Sequence, residues 1–178
     1  MSRLRGSLLV LAGTAALAAG CAHNPPPATS MADQVVARDL ERVRNATKAF
    51  QDTAAAHAAG YPTATMTPCL SDSSAGGMGH HFVNRALLVD SIDVEHPQIL
   101  LYGPAPGGKL KLVAVEYIIP YRIHPREADA PRIFGRALRQ NDPLKLWNLH
   151  VWAWEENPAG LFAEWNPAVK CPAPKAGG

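Results

Sequence analysis

Apolar and small residues recur at Val36, Leu40, Val43, Thr47, Phe50 and Ala54, three or four positions apart, which is the period of one helix face. Ser30 and Asp33 stand before the run with the spacing of a capping box. Gly60 and Pro62 follow it as stop signals. The pattern predicts one long amphipathic helix, with Arg38, Glu41, Arg42 and Lys48 on its solvated side. Past Cys69 the period changes. Residues 73–79 are glycine-rich and read as a flexible loop leading into a short strand at 80–84; they lack the GK[ST] ending of a phosphate-binding loop. Residues 98–102 and 110–119 are β-rich runs joined by Gly- and Pro-rich 103–109, the strongest hairpin signal in the chain. The second run is apolar on both faces, which predicts a central strand covered on one side by the helix. Residues 147–154 form another strand, in which Asn148, His150, Trp152 and Trp154 share a face by the period of two. Between these strands, 120–145 is rich in proline and charge and reads as a long loop able to act as a lid. Residues 157–160 and 166–167 are turns. The sum is an α+β fold, a long N-terminal helix packed on a mainly antiparallel sheet, in a single domain over 30–171.

The N-terminal pattern is of another kind. Arg3 and Arg5 precede a short apolar run at 8–19, the layout of a secretory signal and too short for the roughly 20 apolar residues of a membrane-crossing helix. It ends in Leu17-Ala18-Ala19-Gly20-Cys21, which resembles the bacterial lipobox, with Ala18 where leucine is more usual. A lipoprotein signal peptide over 1–20, lipidation of Cys21 and a proline-stiffened tether over 21–29 are expected. The protein would then be held at a membrane by its lipid chains, which contribute about 0.8 kcal/mol per buried CH₂. Ala22 after the cysteine points to the outer membrane where the source has one. Residues 172–178 are expected to be a disordered tail.

Removal of Arg3 and Arg5 from the 17 basic residues leaves them equal in number to the 15 acidic ones. A neutral chain without a basic run argues against nucleic acid as a partner, because phosphate binding needs clustered Lys and Arg. Of the 3 cysteines, Cys69 and Cys171 remain, in an oxidising compartment where an even count usually means a bridge. They are not in a CxxC arrangement.

Glu116 is the most telling residue, since Leu112, Ala114 and Ile118 are its expected neighbours on one strand face and a buried carboxylate needs a partner or a proton. His150 raises the same question among tryptophans, as does His81 or its neighbour His80. Three strands could bring His81, Glu116 and His150 together. Two histidines and a carboxylate are the ligand set of facial-triad iron sites and of some zinc sites. Two other readings stand beside a metal site. One is a hydrogen-bonded core network in which Glu116 accepts from a histidine, Arg85 or Arg122. The other is an aromatic pocket lined by Phe82, Tyr117, Trp152 and Trp154, with the polar groups orienting an organic ligand. His23, His57, His96 and His124 fall in tether, helix or loops and are expected to be solvated. No nucleophile elbow with a Ser/His/Asp set is present.

Several stretches, among them Pro68-Cys69, Met78-Gly79-His80-His81-Phe82-Val83-Asn84, Val115-Glu116-Tyr117, Leu149-His150-Val151-Trp152 and Asn157-Pro158-Ala159-Gly160-Leu161-Phe162, resemble a family of uncharacterised secreted or lipid-anchored bacterial proteins. A fainter similarity links residues 100–119 and a Trp/His motif to oil-body-associated proteins. The resemblance implies His81 rather than His80 as the site histidine, and it implies no reaction. The expected function is a non-enzymatic, envelope-anchored binding module for a small ligand or a metal ion. A metal-dependent enzyme using His81, Glu116 and His150, and a structural envelope protein, are the alternatives. Replacement Cys21→Ser should abolish incorporation of labelled fatty acid; label still reaching the variant would contradict the anchor.

Overall fold

The computed structural model describes residues 30–172. The expected signal peptide, Cys21, the tether and residues 173–178 of the tail lie outside them. The described chain is α+β. Its strands are β1 (Leu70–Asp72), β2 (Gly76–Val83), β3 (Ile99–Pro104), β4 (Leu110–Pro120), β5 (Arg132–Ile133), β6 (Arg136–Ala137), β7 (Arg139–Asn141) and β8 (Leu146–Val151). A six-stranded antiparallel sheet has the order β1-β2-β3-β4-β8-β7, and a two-stranded ribbon, β5-β6, stands apart.

The expected single long helix is broken. Helix α1 spans Met31–Thr47, a 3-10 turn follows over Lys48–Gln51, and α2 spans Thr53–Ala58. Ser30 caps α1 as its sequence requires: its hydroxyl accepts from the Asp33 amide at 3.1 Å and donates to the Asp33 carboxylate at 2.7 Å. The break falls at Asp52, in extended conformation, whose carboxylate accepts from the Ala54 amide and starts a second helix. An Asp that can cap competes with helix continuation, which the apolar period does not register. Val43 of α1 belongs to the same apolar cluster as Tyr102, Val115 and Tyr117 of the sheet, and the Tyr102 hydroxyl donates to the Phe50 carbonyl.

Hairpin β3-β4 forms where the Gly/Pro-rich signal lies, and β4 is central, between β3 and β8. The pairing of β3 with β4 shifts between Leu101 and Tyr102, whose partners are Ala114 and Leu112. Val113 is therefore the extra residue of a bulge. Before it Leu112 joins the cluster of Tyr102 and Val115, whereas Val113, Ala114 and Ile118 join the one on the other face. Leu112 is thus not a neighbour of Glu116 on its face, because one inserted residue inverts the alternation. The bulged Val113 carbonyl also accepts from the Trp154 and Glu155 amides, at 3.1 and 3.0 Å. That capture turns the chain off the sheet after Val151, so the expected strand to Trp154 stops short.

Two further expectations change. Residues 76–79 are strand, not loop, because the three glycines among them admit neighbouring backbone. A Cβ on Gly76 would meet the Asn166 carbonyl oxygen at 2.3 Å, and one on Gly79 would meet that of Tyr102 at 2.4 Å. Residues 120–145 hold β5, β6 and β7 rather than a plain loop. His124 in that segment is not simply solvated: it bonds the Asp90 carboxylate at 2.8 Å and the Asp129 carbonyl at 2.9 Å.

The C-terminal segment crosses the second sheet face. Asn166 pairs with Gly77 through two backbone hydrogen bonds of 3.0 Å, Val169 joins the cluster of Met78 and Leu101, and the Cys171 and Cys69 sulfurs lie 2.02 Å apart, at disulfide distance. Gly79→Ala should cost at least about 2 kcal/mol, since it combines a backbone clash with φ of +91°. Gly107→Ala, where φ is +71° but the new Cβ meets open space, should cost only the left-handed backbone strain of about 1 kcal/mol. Urea unfolding of both variants checks the contrast; equal losses would contradict it.

Candidate metal centre

Neighbouring strands place the three polar residues by register. Val83, Ile99, Glu116 and His150 form one row across β2, β3, β4 and β8, with Glu116 directly opposite His150. His81 lies two residues from Val83 on β2, in the next row beside Leu101. Alternation puts it on the same face as Glu116, and its ring reaches across β3 toward the carboxylate.

The three side chains converge. His81 Nε2 lies 3.7 Å from Glu116 Oε2, and His150 Nε2 lies 3.6 Å from Glu116 Oε1. One ligand atom from each residue falls within 4.8 Å of the other two. The two imidazoles meet edge to face, centroids 6.2 Å apart. All three are buried, at 7%, 5% and 2% exposure for His81, Glu116 and His150. Separations of 3.6 and 3.7 Å exceed hydrogen-bond length. They approach the roughly 3.4 Å expected between two ligands that each stand about 2.1 Å from one tetrahedral ion.

Glu116 and His81 are each held by a neighbouring side chain, and His150 is not. Asn148, on β8 and on the same face as His150, donates from Nδ2 to Glu116 Oε1 at 3.0 Å. The Thr67 hydroxyl accepts the His81 backbone amide at 3.0 Å and stands 3.5 Å from His81 Nδ1. Both ring nitrogens of His150 are buried with no hydrogen-bond partner among the described residues. An unpaired buried polar group costs about 1–3 kcal/mol, and such groups in folded proteins call for a reason. Burial pushes the His150 pKa down to about 4, and it lowers that of His81 against the raising effect of Glu116. Burial likewise raises the Glu116 pKa, opposed by His81 and by the Asn148 hydrogen bond. Both imidazoles are thereby held neutral, the form in which a ring nitrogen can bind a metal.

A cavity of about 470 Å³ opens over the triad. Its walls include Leu70, Met78, Val83, Ile99, Ile118 and Trp165; Asn141 and Leu144 from the 120–145 segment stand at it as well. At its edge Glu164 is paired with Arg139 at 3.3 Å.

The expected aromatic lining is not there. Phe82 and Tyr117 point to the opposite sheet face, where Phe82 meets the Tyr102 ring and the Tyr117 hydroxyl donates to the Val94 carbonyl at 2.6 Å. They alternate with His81 and Glu116, so strand geometry itself excludes them from the site. Trp152 is on the triad's side of the sheet but donates its indole N–H to the Ala163 carbonyl; Trp154, past the end of β8, donates to Thr47 Oγ1. Both line a separate hollow beside Arg44. Glu116 is not held by Arg85 or Arg122. Asn148 takes that place, and the signal for it was its position two residues before His150 on one strand face. No sequence signal brings Thr67 or Glu164 to the cavity, since both arrive from outside the three strands that carry the triad. His80, next to His81, bonds the Thr67 carbonyl at 2.8 Å instead.

The fold and this triad define a sheet protein with a buried two-histidine, one-carboxylate cluster under a cavity. Compared with known proteins, the chain matches no protein-family model, no curated protein and no solved structure.

A raised folded-state pKa for Glu116 means that the unfolded chain gives up this proton first as pH rises. The associated stability is full below pH 4.5, the ordinary value, and is lost as pH climbs toward the folded-state pKa. In metal-free protein Glu116→Gln should therefore leave stability at neutral pH unchanged or higher, by denaturant unfolding. A loss of about 3 kcal/mol or more would instead mark an ionised carboxylate held by its partners.

Proposed function

We propose that this protein is an envelope-anchored binding module whose folded domain takes one divalent transition-metal ion, zinc or iron(II), on His81, Glu116 and His150. The observation that carries the reading is His150, buried at 2% exposure with both ring nitrogens unpaired among the described residues and Nε2 aimed at a carboxylate oxygen beyond hydrogen-bond reach. A cation between these atoms would satisfy the imidazole, ionise Glu116 and remove the cost of both. The nitrogen and oxygen donors suit zinc and iron(II) alike.

Three protein ligands would leave coordination positions turned toward the cavity. That opening suits a ligand held on the ion and is the basis of the binding reading. It equally favours the second reading, a metal-dependent enzyme in which the ion polarises a substrate or activates water. The anchored location rests on the lipobox-like sequence at Cys21 and on the resemblance to lipid-anchored bacterial proteins. Among the described residues no helix is long and apolar enough to cross a membrane, and in this reading lipid chains on Cys21 provide the attachment.

Elemental analysis of the protein purified from zinc- or iron-supplemented culture should give one equivalent of metal. His150→Ala should lose it, and Glu116→Gln should weaken affinity by at least roughly tenfold while the protein stays folded. Metal-free protein under both supplements, or full occupancy in His150→Ala, would overturn the reading.

A further inference from the structure

The cavity over the triad joins two requirements. Its upper walls, formed by Leu70, Met78, Val83, Ile99, Ile118 and Trp165, are mainly hydrocarbon and favour an apolar guest. Its volume of about 470 Å³ falls within the roughly 300–1,000 Å³ of small-molecule sites. The floor imposes the second requirement. A divalent ion held by one carboxylate and two neutral imidazoles keeps a net single positive charge in a place removed from water, and such a charge is costly without a counter-ion.

The other carboxylate that lines the cavity, Glu164, is engaged by Arg139 at 3.3 Å and is not among the residues whose ligand atoms cluster with those of the triad. Hydroxide would balance the charge, but it would leave the apolar walls against water. A single molecule with an anionic head and a hydrocarbon body meets both requirements. Resting on the metal reading above, we infer that the site takes an organic monocarboxylate with an apolar body, whose carboxylate completes the coordination of the ion and whose hydrocarbon part fills the cavity.

The test uses the full chain, purified in detergent, freed of metal and reloaded with Co²⁺, whose visible bands report its ligands. Octanoate and acetate are then titrated against loaded and metal-free protein. The inference predicts that octanoate shifts the cobalt bands and binds loaded protein on the order of a hundredfold more tightly than acetate, because its added methylenes enter the cavity. It predicts at least roughly tenfold weaker binding to metal-free protein, where the carboxylate has lost its ion. Cobalt that binds, with octanoate no tighter than acetate, overturns the ligand class and leaves the metal site standing. Octanoate bound equally with and without cobalt, its bands unmoved, also overturns the inference, since the head then ignores the ion. Failure of Co²⁺ to bind the triad overturns the metal reading, and this inference falls with it.

Discussion

A carboxyl group in the middle of the central strand sets the problem that the surrounding structure has to answer. Glu116 is 5% exposed on β4, with Ile99 beside it on β3 and Ile118 next on its own face. Left ionised and alone there it would cost several kcal/mol. The sheet supplies Asn148 as one donor and brings two imidazoles to 3.6 and 3.7 Å. One of those imidazoles, His150, has no hydrogen-bond partner among the described residues. A network closed by hydrogen bonds would have drawn the groups to about 2.9 Å. Three groups that face one another and do not close leave room for a common partner.

The rest of the fold can be read from that centre outward. One sheet face, with Leu100, Tyr102, Val115, Tyr117 and Leu149, packs as an apolar core and carries none of the triad. The other face holds the polar cluster and is crossed by the C-terminal segment, which is tied down by the Asn166 to Gly77 pairing and by Cys69 and Cys171 at disulfide distance. The bulge at Val113 separates the two jobs along β4. It turns the start of the strand over and uses its carbonyl to bend the chain after β8 away from the sheet. The glycines of β2 let Asn166 and Tyr102 backbone come close, so the strand carrying His81 is fixed between β3 and the crossing segment.

Much of this was legible in the residue pattern, and the failures share a cause. Period-two alternation found β3, β4 and β8 and put Asn148 and His150 on one face, because regular strands obey it locally. The cap at Ser30 and the hairpin after Pro104 were equally local. Alternation failed at Leu112 and at Trp154, on either side of a bulge that depends on how β3, β4 and the chain beyond β8 meet. It could not say that Gly76 and Gly79 were strand, since what qualifies them is the backbone they touch. The break at Asp52 was hidden by apolar positions that continue the helical period to Ala54. For the site, the triad follows from one argument about buried charge, whereas the expected aromatic lining conflicts with strand alternation at Phe82 and Tyr117 and with the end of β8 at Val151. Phe82 and Tyr117 are next to His81 and Glu116 in the chain and, for that reason, on the opposite face of the sheet.

The central claim is that His81, Glu116 and His150 form a ligand set rather than an idle polar core. Anomalous diffraction at the zinc edge from crystals grown with Zn²⁺ tests it most directly. The account predicts one peak about 2.0–2.2 Å from a nitrogen of each histidine and from a Glu116 oxygen. Zinc bound elsewhere, with an ordered water or empty density between the three side chains, would contradict it.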